Sequence, residues 1–369
     1  MTQAAPRFHD LTLTRVSTEA AGAVALTFRV PPELRSAFAF EPGQYLTLRA
    51  SIDGVDTRRS YSICSPRSEL QRHGTLSVGL RPVEGGVFSN WAIRQLRAGT
   101  VVSVLTPQGK FMVQRPKAIH RVGFAAGSGI TPILSIMAST LEEQPESRFT
   151  LVYGNRRMSS VMFNEALQDL KDRHPDRLTL IHVLSRQAQE VPLLEGRIDA
   201  AKVRAVVSSL LPARSMDEVF ICGPDAMIGA TRQALLDAGV AEHKIAAERF
   251  TSPTLEALEP DARSKAVTVR PDASETGQIA LSVVVDGKAY DVRMGPEDNV
   301  LDAALTHGLD LPYSCKGGVC STCRCKVLQG AASMNRNFTL DASEIAAGWI
   351  LSCQAVPTGA NLRVTFDER

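Results

Sequence analysis

Sulfur chemistry is the clearest signal in this sequence of 369 residues, because four of its seven cysteines lie in the segment 315–325, CKGGVCSTCRC. Thiols concentrated in this way can form a disulfide framework, hold a zinc ion or ligate an iron–sulfur cluster. Disulfide frameworks are typical of short secreted chains, and the N-terminal sequence MTQAAPRFHDLTLTR has no apolar segment of the signal-peptide kind. We therefore expect a reducing, cytoplasmic setting.

The spacing of the cysteines separates the two metal-based alternatives. Cys315, Cys320 and Cys323 follow the pattern C-x4-C-x2-C, and a fourth cysteine, Cys353, follows after 29 intervening residues. This is the spacing of plant-type [2Fe–2S] clusters, whereas structural zinc sites typically pair two short clips of cysteines. Cys325 is left over, and the alternation along CRCKVLQG predicts a buried strand thiol there. A zinc site, plain core cysteines, and Cys325 as a ligand in place of Cys323 stay open as alternatives.

The segment 279–369 around these cysteines has the pattern of a small α+β module. IALSVVVDGKAYDVRM predicts two strands joined by the turn Asp286-Gly287, and NVLDAALTHGL has helical spacing. Gly317 and Gly318 let backbone N–H groups approach an anionic cluster closely. The preceding residues, 251–278, are rich in Pro, Ser, Ala and charges, which favours a linker.

A second group of residues suits a flavin. Arg59, Tyr61 and Ser62 follow a strand-like run, and they supply a cation for phosphate, an aromatic ring for stacking and a hydroxyl for the ring nitrogen N5. Further on, Gly86 and Ser89 precede a helical run whose N-terminus could bind a pyrophosphate. An ordinary alternating strand and a glycine turn with a serine cap are the alternatives.

From about residue 114 the pattern changes from all-β to alternating strands and helices, which predicts a parallel sheet with ligands at the carboxyl ends of its strands. A glycine-rich turn, Gly127-Ser128-Gly129, follows the first buried strand, and a helix begins near Thr131. Pro132 occupies the last position of the motif, so the standard dinucleotide fingerprint G-x-G-x-x-G is absent.

Composition bounds the partners of the chain. Lys and Arg number 41 against 39 Asp and Glu, and no run approaches the length of apolar residues that a membrane span needs. We therefore expect no nucleic-acid and no membrane partner. The length and a hydrophobic content of 44% are sufficient for several domains with their own cores.

The order of the motifs resembles a known family. RSYS, GSGITP, YGNR, CGP and ERF follow one another as in the ferredoxin–NADP reductase superfamily, and the C-terminal segment is similar to plant-type ferredoxins. The longer segments RRSYSICS, FSNWA, AAGSGITPILSI, LVYGNR, HVLSR and CKGGVCSTCRCKV carry the likeness to a narrower group. The whole chain resembles the reductase subunits of bacterial multicomponent oxygenases, most of all those of phenylacetyl-CoA epoxidases. The resemblance implies an antiparallel FAD-binding β-barrel over 1–113, an α/β NAD(P)-binding domain over 114–250, a linker over 251–278 and a β-grasp-like ferredoxin domain over 279–369.

The resemblance also implies roles for the matching residues. Ser62, Cys222 and Glu248 would surround the centre of hydride transfer, and the four cysteines at 315, 320, 323 and 353 would hold the cluster. The residues implied in binding FAD or the nucleotide are Arg59, Tyr61, Ser62, Gly86, Ser89, Gly127, Ser128, Gly129, Thr131, Arg156, Ser185, Arg186, Gly223, Pro224 and Phe250.

The implied activity is electron transfer in three steps: a hydride from NADPH to FAD, single electrons from FAD to the [2Fe–2S] cluster, and electrons from the cluster to an oxygenase. Ser185 and Arg186 favour NADPH over NADH, because a 2′-phosphate requires a cation where NAD sites place a carboxylate. The expected acceptor is a di-iron oxygenase acting on an aromatic CoA thioester. A reductase for a Rieske-type oxygenase and a non-catalytic electron carrier or redox sensor are the alternatives.

Overall fold

The computed structural model of the protein describes residues 7–115, 119–250 and 279–368. The chain forms two compact units, a larger one over Phe8–Arg249 and a smaller one whose described residues are mainly 279–368. The predicted linker, 251–278, lies outside the described residues. No helix in the described ranges is long and apolar enough to cross a membrane.

The first part of the larger unit is a six-stranded antiparallel sheet with the order β4-β3-β6-β1-β2-β5. Its elements are β1 (Phe8–Thr18), β2 (Val24–Arg29), β3 (Tyr45–Ile52), β4 (Val55–Ser62), α1 (Arg67–His73), β5 (Thr75–Leu80), α2 (Val87–Gln95) and β6 (Val101–Leu105). Alternate apolar residues of the strands bury one common core. The predicted antiparallel class is confirmed, since every strand pair in this sheet is antiparallel.

Helix α1 is a departure from the predicted all-β pattern. It begins after Pro66 and ends at Gly74, whose φ of 64° is the left-handed conformation that glycine adopts without strain. Arg72 and His73 lie in its last turn, where positive charge is favourable. These end signals are local, but they frame only seven residues, too few for a helical period to stand out.

The second part of the larger unit is a five-stranded parallel sheet with the order β11-β10-β7-β8-β9, which confirms the predicted α/β class. Its elements are β7 (His120–Ala126), α3 (Ile130–Glu143), β8 (Arg148–Asn155), α4 (Asn164–Arg173), β9 (Leu178–Leu184), α5 (Ala200–Ser209), β10 (Glu218–Cys222), α6 (Asp225–Asp237) and β11 (Ile245–Glu248). Helix α4 begins four residues later than SVMFNEALQDLKDRH predicts, because Phe163 has φ 59° and cannot continue a right-handed helix.

The smaller unit contains a mixed five-stranded sheet with the order β13-β12-β16-β14-β15. Its elements are β12 (Ile279–Val285), β13 (Lys288–Met294), α7 (Val300–Thr306), β14 (Arg324–Met334), α8 (Ala342–Ala346), β15 (Trp349–Leu351) and β16 (Ala355–Thr365). The turn between β12 and β13 has positive φ at both Asp286 and Gly287, as a two-residue hairpin turn of type I′ requires. The predicted α+β class is confirmed, with β12 and β16 as the parallel pair.

Candidate functional site

The end of β4 presents the predicted flavin residues. Arg58 and Arg59 are neighbours in sequence, but their environments differ: Arg58 is 2% exposed and pairs with Asp56 at 2.8 Å, whereas Arg59 is exposed. No ion pair of Arg59 is present among the described residues. The ring of Tyr61 lies 5.8 Å from that of Phe88 on α2, so the helix supports it from behind. Arg59 is therefore the arginine available to a ligand.

The N-terminus of α2 lies beyond the turn Gly85-Gly86. Gly86 is the N-cap and no side chain caps the helix, while Ser89 lies inside the first turn and is buried. This differs from the alternative in which Ser89 caps the helix. The side-chain amide of Asn90 donates to the carbonyl oxygens of Val83 and Gly86 at 2.8 and 2.7 Å, which fixes the turn. The first backbone N–H groups of the helix are thus left for an anion.

The glycine turn after β7 is held by close packing and by hydrogen bonds. A Cβ at Gly129 would lie 2.1 Å from the carbonyl oxygen of Cys222, so this position accepts glycine alone. The hydroxyl of Tyr153 donates to the carbonyl oxygen of Gly127 at 2.8 Å, and that of Thr131 donates to Ser128 at 3.0 Å. Tyr153 is a contributor that the sequence analysis missed.

The predicted catalytic residues come together from three strands. Cys222 ends β10 and pairs with Glu248 at the end of β11, and the hydroxyl of Ser62 at the end of β4 donates to a carboxylate oxygen of Glu248 at 3.3 Å. Burial raises the pKa of Glu248 to about 8, while the Ser62 bond works in the opposite direction. Burial, and secondarily the charge of Glu248, raises the pKa of the Cys222 thiol well above its usual range. At pH 7 the Cys222 thiol is therefore neutral and the Glu248 carboxyl is mostly protonated.

The remaining predicted nucleotide residues follow the carboxyl ends of the parallel strands. The backbone N–H of Ser185 donates to Asn155 at 2.9 Å and that of Arg186 donates to Arg156 at 2.8 Å, so the two arginines follow adjacent strands. Both are exposed, and neither forms an ion pair within the part of the chain that the structure describes. Beside the glycine turn, Gly223 and Pro224 connect β10 to α6, with Pro224 as the N-cap of that helix. Phe250 is 42% exposed at the end of a described range.

Four of the five cysteines in the smaller unit form two pairs of interacting thiols. The thiol of Cys320 hydrogen-bonds to Cys315, and that of Cys323 hydrogen-bonds to Cys353. The Cys320 contact, aided by backbone N–H groups, lowers the pKa of Cys315 to about 5, and the Cys323 contact likewise lowers the pKa of Cys353. Cys325 is fully buried opposite Ile350, as alternation along β14 predicts.

All seven cysteines are free thiols. Within residues 7–115, 119–250 and 279–368, no three His, Cys, Asp or Glu side chains are placed as a set for one metal ion. Two pairs of thiols suit a binuclear cluster instead, because each iron of a [2Fe–2S] unit takes two protein ligands. The donor set therefore fits the predicted cluster.

Two polar neighbours of Cys353 were missed by the sequence analysis. Ser352 is fully buried and Gln354 is 8% exposed, and both bond to the segment that carries the other three cysteines. The sequence signal for them was one polar residue on each side of the cysteine in the otherwise apolar run WILSCQAV. In a simple strand, alternation would bury only every second residue.

Comparison with known families assigns a cofactor to each region. The oxidoreductase FAD-binding domain matches residues 10–113, the oxidoreductase NAD-binding domain matches 124–233, and the 2Fe-2S iron-sulfur cluster binding domain matches 283–358. These matches confirm the predicted cofactors FAD and [2Fe–2S] and a pyridine nucleotide.

Two curated proteins are similar to nearly the whole chain. One subunit of the 1,2-phenylacetyl-CoA epoxidase of Escherichia coli (strain K12) is 44% identical over 366 residues, covering 98% of both sequences. The ferredoxin reductase component of the 3-ketosteroid-9-alpha-monooxygenase of Rhodococcus rhodochrous is 34% identical over 360 residues, covering 96% of both. Among solved structures, phthalate dioxygenase reductase shares the fold, with a TM-score of 0.57 and 20% identity over 97% of this chain and 98% of that one.

Proposed function

Because the chain belongs to the family of oxygenase reductase components that combine FAD-binding, NAD-binding and 2Fe-2S domains, we propose that it is the NADPH-dependent reductase of a phenylacetyl-CoA epoxidase. Members of this family pass electrons from a reduced pyridine nucleotide to an oxygenase component. The observation that carries the choice of oxygenase is the identity of 44% over 98% of both chains to a subunit of such an epoxidase.

When bound, the flavin accepts a hydride from the nucleotide and releases single electrons to the [2Fe–2S] cluster, which serves the oxygenase. In this proposal the exposed guanidinium of Arg59 and the uncapped N-terminus of α2 bind the FAD phosphates. Tyr61, supported by Phe88, packs against the flavin ring. Ser89 lies in the first helical turn and is proposed to belong to the phosphate-binding loop together with Gly86.

Ser62, Cys222 and Glu248 are proposed to shape the place where the hydride arrives. A hydride brings negative charge, so a buried carboxylate beside it would oppose the transfer. Burial raises the pKa of Glu248 to about 8, so its carboxyl is mostly protonated at pH 7. The bond from Ser62 holds that carboxyl in position, and Cys222 fills the space next to it on β10.

NADPH is proposed as the nucleotide because Arg156 and Arg186 are exposed side by side at the end of β8 and β9. Two guanidinium groups and the hydroxyl of Ser185 match a 2′-phosphate, whereas a free ribose hydroxyl is usually bound by a carboxylate. The glycine turn 127–129, Thr131, Gly223 and Pro224 are proposed to receive the phosphates and the nicotinamide end, and Phe250 to contribute to the flavin site.

Cys315 and Cys320 are proposed to hold one iron of the cluster, and Cys323 and Cys353 the other. We place the protein in the cytoplasm, in keeping with a nucleotide cofactor and with seven cysteines of which none forms a disulfide. The proposed domain limits are those predicted from the sequence, 1–113, 114–250, 251–278 and 279–369.

The proposed partner is tested by reconstitution. The purified holoprotein is mixed with the oxygenase subunits of a phenylacetyl-CoA epoxidase, and NADPH oxidation is measured together with loss of phenylacetyl-CoA. The terminal oxygenase of a 3-ketosteroid-9-alpha-monooxygenase serves as the matched alternative acceptor. Turnover with the epoxidase subunits at a much higher rate supports the proposal. Preferential turnover with the steroid oxygenase would reassign the protein to that acceptor.

A further inference from the structure

Cys353 is joined to the cysteine segment 315–323 through both of its sequence neighbours. The backbone N–H and the hydroxyl of Ser352 donate to the carbonyl oxygen of Cys323 at 3.0 and 2.9 Å. On the other side, the side-chain amide of Gln354 donates to the carbonyl oxygen of Lys316 at 2.9 Å. Cys353 is thus attached near both ends of the segment, although it is far from that segment in sequence.

The amide nitrogen of Gln354 has two further acceptors. It lies 2.9 Å from the carbonyl oxygen of Cys353 and 3.5 Å from the sulfur of the same residue. Because two carbonyl oxygens face this nitrogen, it is the NH2 side of the amide that lies near the sulfur, and its two N–H bonds serve three acceptors, so the longer contact to sulfur shares an N–H with a carbonyl oxygen. Gln354 is also 8% exposed, so water does not compete freely for these contacts.

A side-chain donor can be removed by substitution, whereas the backbone donors in this region cannot. The N–H of Gly317 donates to the sulfur of Cys315 at 3.3 Å, and no substitution that leaves the backbone in place removes this bond. The contact from Gln354 can be removed by changing one side chain. Hydrogen bonds to the sulfur ligands are one of the factors that set the reduction potential of iron–sulfur clusters.

We propose that Gln354 is a positioning residue that raises the reduction potential of the cluster, by donating an N–H to the sulfur of Cys353 while it holds that residue against Lys316. The inference rests on the proposed function in one respect, the assignment of Cys353 as a ligand. Reduction adds one negative charge to the cluster, and a donor aimed at a ligand sulfur stabilises that charge. Removal of the donor therefore disfavours reduction.

The test is a redox titration of the full-length holoprotein, followed by electron paramagnetic resonance, for the wild type and three variants. Gln354→Leu removes the donor, and Gln354→Glu replaces it by an acceptor of the same shape. Ser352→Ala is the matched control, because it removes a buried hydrogen bond to the same cysteine segment but none to sulfur. We expect the Leu variant to reduce about tenfold less favourably, a shift of 59 mV to more negative potential for one electron, with a larger shift in the Glu variant.

The control should retain the wild-type potential. An unchanged potential in the Leu variant, or an equal shift in Ser352→Ala, overturns the inference. A measurement on the wild type covers the case in which the Gln354 variants do not take up the cluster. With glutamine labelled by ¹⁵N in its side chain, pulsed electron paramagnetic resonance of the reduced cluster should show a coupled nitrogen. Absence of that coupling contradicts the proposal.

The assignment of Cys353 as a cluster ligand is tested separately with Cys353→Ala. If this variant retains the wild-type cluster signal, Cys353 is not a ligand and the proposed ligand set is wrong. If the signal is lost in Cys353→Ala but the potential does not respond to Gln354, the ligand set stands and only the role of Gln354 is wrong.

Discussion

The hydroxyl of Ser62 donates a hydrogen bond to the carboxylate of Glu248 across 3.3 Å, although 186 positions separate the two residues in sequence. The bond connects the antiparallel sheet to the edge strand of the parallel sheet. Burial at this junction raises the pKa of Glu248 to about 8. The proposed hydride site therefore contains a carboxyl group that is mostly protonated at pH 7 and becomes charged as the pH rises above 8.

The first prediction concerns this carboxyl group. Since its folded pKa of about 8 lies above the ordinary value of 4.5, the folded protein holds the proton more tightly than the unfolded chain does. Its contribution to stability is full at low pH and is lost as the pH rises towards 8. The rate of flavin reduction by NADPH in the wild type should fall as the pH rises through about 8, because the folded protein then carries a carboxylate whose charge opposes the hydride.

Glu248→Gln keeps the shape of the side chain and stays neutral, so its rate should show no inflection near pH 8. Stopped-flow reduction of the flavin on both sides of that pH measures the difference. The same inflection in the Gln variant would assign the titration to another group.

The second prediction concerns the choice of nucleotide. Arg186→Ala should raise the Michaelis constant for NADPH about ten- to a hundredfold and leave that for NADH nearly unchanged, because a charge-assisted hydrogen bond contributes roughly 1.5–3 kcal/mol. Steady-state kinetics with both nucleotides provides the measurement. Arg214→Ala is the matched control. Arg214 is also exposed, but it lies just before β10, at the amino ends of the parallel strands, whereas Arg186 lies at their carboxyl ends. Equal effects of Arg186→Ala on the two nucleotides would contradict the assignment.

The third prediction separates the cluster ligands from the neighbouring core cysteine. Cys320→Ala and Cys323→Ala each remove one proposed ligand and should abolish or cripple the cluster. Cys325→Ala should retain the [2Fe–2S] signal after reduction, because its thiol is buried in the sheet opposite Ile350. Electron paramagnetic resonance and iron content give the outcome. A signal kept in Cys323→Ala and lost in Cys325→Ala would reverse the ligand choice.

The fourth prediction tests the electron route by truncation. A chain ending near residue 260 keeps the compact unit Phe8–Arg249 and loses all four proposed cluster ligands. It should fold, bind FAD and reduce ferricyanide with NADPH, but it should not support the oxygenase, because the one-electron outlet is gone. Ferricyanide reduction and oxygenase turnover are measured side by side for both chains. Turnover of the oxygenase at the full-length rate would show that the cluster is not on the route.

The fifth prediction concerns stability. Arg121 is fully buried and donates to Glu218 at 3.0 Å, to Gln144 at 2.7 Å and to the carbonyl oxygen of Arg115 at 2.6 Å. Arg121→Met leaves the carboxylate of Glu218 buried without its charged partner, which should cost about 3–5 kcal/mol in the free energy of unfolding. Urea unfolding followed by circular dichroism measures the loss.

The double variant Arg121→Met with Glu218→Leu should recover part of that loss, because it leaves no uncompensated charge. If the single variant unfolds with the wild-type free energy, the buried ion pair does not support the fold in the way described.

Much of the fold follows from local patterns. The strands around Asp286-Gly287 end where the sequence predicts, because both the alternation and the turn are properties of neighbouring residues. Helix α4 shows the limit of such patterns. Its apolar spacing continues upstream of Asn164, but Phe163 has a left-handed conformation, and its backbone N–H donates to Glu19 at 3.0 Å. The helix therefore begins only at Asn164.

The sequence by itself determined most of the elements, with helix α1 as the exception, together with the cofactor classes and the spacing of the cysteines, since periodicity and motif spacing are properties of the chain itself. The tertiary structure decided which of two neighbouring arginines can bind a ligand: Arg59 is exposed, whereas Arg58 is paired with Asp56. It also decided that burial raises the pKa of Glu248 to about 8 and that the side-chain amide of Gln354 lies 3.5 Å from the sulfur of Cys353. Burial and contacts between distant segments set these properties, and both arise only when the chain is packed.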